Sequence, residues 1–232
     1  MKPTALFLFN SSRYAVDPWL ETHNCVSVDH DDTDHSGTQR DTWSHANHWR
    51  IDVDLAGPLA TQQVLAKLLA LGLVYPSVVI SFAPCTDLAV SGARHFKSKA
   101  ATDPQFQDKA VALARLAETF GVPYCVENPV SVLATKWRKP DVVCHPADFG
   151  GFCPAGPHPE FPGVIPERDA YYKKTCLWIG HGFRAPYSAP VVVENDANPG
   201  WAKLGGKSAR TKYIRSLTPR GLARALFEAN RP

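Results

Sequence analysis

Apolar and β-branched residues gather in short unbroken runs along this chain, separated by stretches in which apolar positions recur every three or four residues. The strongest runs are residues 5–9, 78–82, 123–126 and 175–179; residues 25–28 and 49–53 are weaker candidates. Continuous hydrophobicity marks a strand buried on both faces, as in a parallel sheet covered by helices. A helical period over 61–71 ends at Gly72, and another over 108–120 ends at Gly121, glycine after the last apolar position being a common helix stop. Residues 219–230 predict a third helix, with Thr218 as cap and Pro219 in its first turn. Alternating strand and helix signals imply an α/β fold: one Rossmann-like domain over residues 1–232, with a mostly parallel open sheet, helices on both faces and ligands at the carboxyl ends of the strands. Residues 30–48, rich in Asp, His, Ser and Thr, predict a loop. Residues 145–168, with six prolines and four glycines, predict a second irregular segment, and 180–214 a third, the last two on the substrate side.

Composition adds little to this picture. With 232 residues, 44% hydrophobic and 20% charged, the chain suits one globular core. A net charge of +3 permits a nucleic-acid partner without requiring one. No apolar run reaches the roughly eighteen residues of a membrane span, and the N-terminus lacks a cleavable-signal pattern, so a cytoplasmic protein with free thiols and no membrane partner is expected. The six cysteines include no CxxC pair. Two metal-like clusters, His30 with Asp31, Asp32, Asp34 and His35, and Cys144 with His145, Cys153 and His158, lack the paired spacing of zinc sites, so no metal is expected.

Chemistry concentrates after the strand at 78–82. There Pro84 and Cys85 stand at a strand end among Thr86, Asp87, Ser91, Gly92 and Arg94, whereas Cys25, Cys125 and Cys176 lie inside apolar strands. Arg94 and His95 are candidates for the positive field that favours a thiolate. A second polar group, Glu127-Asn128-Pro129, closes the strand at 123–126; a carboxylate at the tip of a buried strand is costly without a partner or a task.

Pro84-Cys85 and Glu127-Asn128, 42 residues apart on two strand ends, with Arg215-Ser-Leu-Thr-Pro-Arg220 near the C-terminus, resemble in identity and order the motifs of the cytosine-C5 DNA methyltransferases. The wording of SGARHF, ENPVSVLATKWRKP, YYKKTCLWIG and LGGKSARTKYIRSLTP is similar to the short phage- and bacterial-type members. The resemblance implies a class I S-adenosylmethionine-dependent methyltransferase in which Cys85 attacks C6 of cytosine, Glu127 donates to N3, and Asn128 holds the loop that orients the cysteine. Lys173 falls where the family carries a basic residue that contacts the substrate, while Thr175 replaces a second arginine. The implied cofactor residues are Phe9, Asn10, Ser11, Asp29, His30, Asp52 and Pro84, with Asp29 on the ribose and Asp52 near the adenine amine, Asp54 competing. The family's glycines in the first turn are absent from Phe9-Asn-Ser-Ser-Arg-Tyr14. Arg94, Arg138 and Arg215 are substrate-binding candidates, and Lys97, Lys99, Lys139, Lys207, Arg210 and Lys212 are further cations expected around the mouth of the site. Only 35 residues, 180–214, are available for target recognition, too few for a domain with its own core. The leading expectation is therefore a DNA cytosine methyltransferase of low specificity acting on a flipped base. The alternatives are the same chemistry on RNA or a free cytosine nucleotide, and a catalytically inactive methyltransferase-like protein that binds nucleic acid.

Overall fold

The computed structural model describes residues 2–10, 12–29, 45–194 and 208–232. Its centre is a seven-stranded sheet in the order β3-β2-β1-β4-β5-β7-β6. The strands are β1 (Thr4–Leu8), β2 (Asn24–Asp29), β3 (His48–Asp52), β4 (Pro76–Ser81), β5 (Tyr124–Pro129), β6 (Val142–Cys144) and β7 (Thr175–Gly180). The first five strands run parallel, and β7 lies antiparallel between β5 and β6. The expected α/β Rossmann-like, mostly parallel open sheet is the fold observed. The six runs read as strands are all strands; β6 adds a three-residue edge too short to announce itself.

The central strands are largely apolar because both faces of the sheet are covered there. Leu6 and Leu8 of β1 pack on one face with Val64 and Leu68 of α1 (Ala60–Ala70) and with Ala110 and Ala114 of α3 (Phe106–Arg115). Ala5 and Phe7 pack on the other with Trp19 and with Leu222, Leu226 and Phe227 of α6 (Arg220–Asn230). Alternation in β1 thus divides residues between two cores rather than between core and water. The remaining helices are α2 (Phe96–Thr102), α4 (Leu133–Lys136) and α5 (Ala209–Ser216).

The predicted helix stops hold. Gly72 and Gly121 take positive φ of 69° and 66°. At Gly72 the amide donates to Leu69 O and that of Leu73 to Leu68 O, which satisfies carbonyls left over at the end of α1. The helix expected over 108–120 is α3 followed by a 3-10 turn, Leu116–Phe120.

Three expectations need correction. Thr218 does not cap α6: Oδ2 of the buried Asp169, from the proline-rich segment, accepts from the amides of Arg220 (2.6 Å) and Gly221 (3.4 Å). The stretch 180–214 is not irregular to its end, since α5 begins at Ala209 with Ser208 Oγ accepting from Thr211 N. The segment after His145 contains 3-10 turns at Pro146–Phe152 and Glu167–Asp169. A third small core joins it to the rest through Tyr14, Ile165, Tyr171, Ile214 and Leu217.

Candidate functional site

The chain leaves β1 towards β2 on one side and returns through β4 on the other. The carboxyl ends of β1 and β4 therefore flank a topological switch point, where open α/β sheets leave a crevice. A cavity of about 610 Å³ opens there, lined by Phe9, Asn10, Pro84, Cys85, Glu127 and Asn128 among others. Lys173, Lys212 and Arg215 form its cationic wall.

Cys85 follows β4 in a turn where its carbonyl accepts from the amides of Leu88 (3.1 Å) and Ala89 (2.8 Å). It is exposed to the cavity, while the other five cysteines are buried. Its thiol is held above the ordinary value, first by desolvation and then by the Glu127 carboxylate; Lys173 and Arg215 act in the opposite direction. The cations opposing that rise are thus Lys173 and Arg215, where the sequence had pointed to Arg94 and His95. Arg94 sits exposed on the 3-10 turn Val90–His95, and its Nε donates to His95 Nε2 at 3.0 Å.

Glu127 projects from the end of β5, half-buried. Burial raises its carboxyl above the usual carboxylate range, with Lys173 partly countering. The next residue turns to the opposite face of the strand. Asn128 is buried there and its Nδ2 donates to Ala83 O at 2.9 Å, so it grips the backbone two residues before Cys85. Further bonds, Val90 N to Val130 O (3.1 Å) and Val132 N to Leu88 O (3.0 Å), stitch the loop after Cys85 to the loop after Glu127. Nucleophile and acid candidates are thereby carried on one mechanically linked pair of loops. Lys99 adds a tie within the first loop, bonded to Thr86 O and Asp87.

Lys173 reaches this edge because β7 is antiparallel: its beginning lies beside the carboxyl end of β5, with Thr175 opposite Pro129. Lys173 Nζ donates to Arg215 O at 3.1 Å and so joins β7 to the last turn of α5. The same reversal removes Arg138 from the site. Its guanidinium bonds Asp141 (2.6 Å) and Ile179 O (2.7 Å), at the amino edge of the sheet, because Ile179 lies opposite Cys125 near the start of β5. Arg138 is not among the residues that line the cavity. Arg215 and Lys212 both line the cavity.

The turn after β1 closes without glycine. Phe9 adopts φ of 56°, the left-handed conformation that a glycine would take more cheaply. Asn10 is buried with its side chain spent inside the fold: Nδ2 donates to Ser27 Oγ (2.9 Å), itself bonded to His48, while Oδ1 accepts from Ser12 N (3.3 Å). Asp29 and Asp52 end neighbouring strands and stand directly opposite each other in register. Asp54 is used in a local turn, Oδ1 accepting from Ala56 N at 2.9 Å. Ser11 and the cluster at His30 lie outside the described residues.

The cluster of Cys144, His145, Cys153 and His158 is dispersed. Cys144 donates to Thr175 O, Cys153 to Asp169, and His158 Nδ1 accepts from two backbone amides. Among the described residues no group of three or more His, Cys, Asp or Glu side chains converges, and no helix is long and apolar enough to cross a membrane.

No protein-family model matches this chain, and no curated protein does. Among solved structures it is similar to a protein described as a DNA modification methyltransferase encoded within an E. coli prophage. That likeness has 12% identity, covers 84% of this chain and 54% of the other, and has a TM-score of 0.46. It is also similar to a short chain dehydrogenase from Leptospira borgpetersenii with bound NAD+, at 13% identity, 52% and 48% coverage and a TM-score of 0.26. The chain spans about half the length of each. Likenesses so distant do not speak for activity.

Proposed function

We propose that this chain transfers a methyl group from S-adenosylmethionine to C5 of cytosine in DNA through a covalent bond to Cys85. The supporting observation is the convergence of Cys85, Glu127, Lys173 and Arg215 on one cavity beside the switch-point crevice, with Asn128 tying the Cys85 loop to the strand that carries Glu127.

The crevice suits the cofactor. Phe9, Asn10 and Pro84 line it. Asp29 and Asp52, at the carboxyl ends of the neighbouring strands β2 and β3, are the acids that would take the ribose hydroxyls and the adenine amine. S-adenosylmethionine, when bound, supplies an electrophilic methyl group. The chain's own residues prepare the acceptor. Cys85 as thiolate adds to C6 of the ring, and Glu127, whose carboxyl pKa is raised by burial, gives a proton to N3 as charge develops there. Lys173 and Arg215 favour the thiolate before the addition. C5 is then nucleophilic; once it has been alkylated, loss of its proton breaks the Cys85–C6 bond and frees the enzyme.

The test is transfer of a radiolabelled methyl group to DNA, RNA and cytosine nucleotides side by side. Transfer to DNA, lost in Cys85→Ser, is expected. DNA carrying 5-fluorocytosine should leave a protein–DNA adduct stable to denaturation, since fluorine at C5 blocks the proton loss. Transfer to RNA or nucleotide alone would reassign the substrate. Full turnover by Cys85→Ser would overturn the mechanism, and no transfer with retained DNA binding would favour a binding protein.

A further inference from the structure

Next in the chain to the cavity-lining Lys173 stands an exposed aromatic, Tyr172, with no part in the chemistry above. Tyr172 is 56% exposed, immediately before Lys173, which lines the cavity, and Lys174, which is exposed. Both sides of Tyr172 are anchored. Tyr171 is buried in the small core with Ile165, Ile214 and Leu217, and its carbonyl accepts from Ala147 N at 3.3 Å. Lys173 is held by Arg215 O through its Nζ and by Thr175 Oγ1 through its carbonyl. The Tyr172 ring meets the ring of His145 edge-to-face, with centroids 5.2 Å apart and an angle of 81°. His145 is itself fixed at the carboxyl end of β6, its amide donating to Asp148 at 2.6 Å.

We propose that Tyr172, backed by His145, is a stacking platform for a nucleobase that flanks the one held in the cavity. This rests on the polynucleotide reading of the cavity and names a second contact for the same strand. An aromatic ring left in water at this exposure forfeits apolar burial, and one pinned by neighbours on either side has already lost the freedom that binding would cost. A partner that covers it therefore gains the full contact. Lys173, Lys212 and Arg215, which line the cavity, together with the exposed Lys174, select a polyanion whose rings are spaced by phosphates. That is the chemistry of a nucleic-acid strand: cations track the backbone while an aromatic side chain receives a base, with little regard to which base it is.

The experiment uses the full chain and cytosine-containing DNA oligonucleotides with 2-aminopurine placed in turn at each position around the target. In the wild type, one position near the target cytosine is expected to show quenched fluorescence on binding. Tyr172→Phe should keep both the quenching and the affinity. Tyr172→Ala should lose the quenching at that position and about tenfold in affinity. The slope of affinity against salt should stay unchanged in Tyr172→Ala, since no charge is removed, and fall by about one unit in Lys174→Ala. Affinity and quenching equal to wild type in Tyr172→Ala would overturn the platform while leaving the proposed function standing. A wild-type protein that binds neither DNA nor RNA would overturn both.

Discussion

At Cys85 each neighbouring charge has a sign and a consequence. Glu127 as carboxylate opposes the thiolate, while Lys173 and Arg215 favour it. Protonation of Glu127 therefore favours ionisation of Cys85. With one proton between them, placing it on Glu127 removes the charge that opposes the thiolate and leaves the cations in force. The productive form, thiolate with carboxylic acid, belongs to this one-proton state. The rate should accordingly be bell-shaped in pH, falling in acid when both groups are protonated and in alkali when neither is. Glu127→Gln is expected to lose the alkaline limb and to slow turnover by about 10²–10⁴-fold, read from pH–rate profiles of methyl transfer. The same residue predicts a stability effect. Burial raises its folded pKa, so its most favourable contribution holds below the ordinary carboxylate range and is lost as pH rises through the folded value. Glu127→Gln should thus melt above the parent at neutral pH, by roughly 2–4 °C for each kcal/mol of burial penalty removed. At acid pH the two should converge; thermal unfolding at both pH values checks the sign.

At the scale of elements, α6 depends on a residue 51 positions earlier in the chain. Asp169 is 1% exposed, accepts from two amides at the helix start, and pairs with the Arg220 guanidinium at 3.2 Å. It does so from a strained stretch, since Arg168 and Asp169 have φ of 53° and 51°. Close packing accompanies this: a Cβ on Gly221 would meet Phe149 O at 2.3 Å, so the first turn of α6 lies directly against the 3-10 turn. Asp169→Ala would leave a mostly buried arginine and two amides without their acceptor. It is expected to cost about 3 kcal/mol, lowering Tm by roughly 10 °C, with Asp169→Asn milder because an oxygen acceptor remains. An unchanged melting temperature in Asp169→Ala would show that the cap is redundant.

At the scale of the molecule, the switch point leaves a crevice between β1 and β4, and the reversed β7 brings Lys173 to that same edge. With α5 as cationic wall, polynucleotide binding should rest largely on phosphates and fall steeply with salt. Arg210 and Lys212 are exposed on α5. Replacing both by Ala should weaken binding to all DNA sequences alike and flatten the salt slope by up to about two units, measured by titration across a salt series. Sequence-dependent losses would instead mean that α5 reads bases.

What the amino-acid sequence determined by itself was local or pairwise in pattern. The unbroken apolar runs of the strands reveal a sheet covered on both faces, Gly72 and Gly121 mark helix ends, and the polar surroundings of Cys85 separate it from five buried cysteines. These follow from side-chain period and backbone conformation, which a short window carries. The tertiary structure decided whatever depends on strand direction and on distant partners. An antiparallel strand has the same residue preferences as a parallel one, so nothing in the β7 run tells that its beginning lies beside the end of β5 or that Arg138 is carried to the opposite edge. Nor does a helix start at Pro219 disclose that its acceptor is Asp169 rather than Thr218, because the cap comes from a segment folded against it and not from the residue next in line.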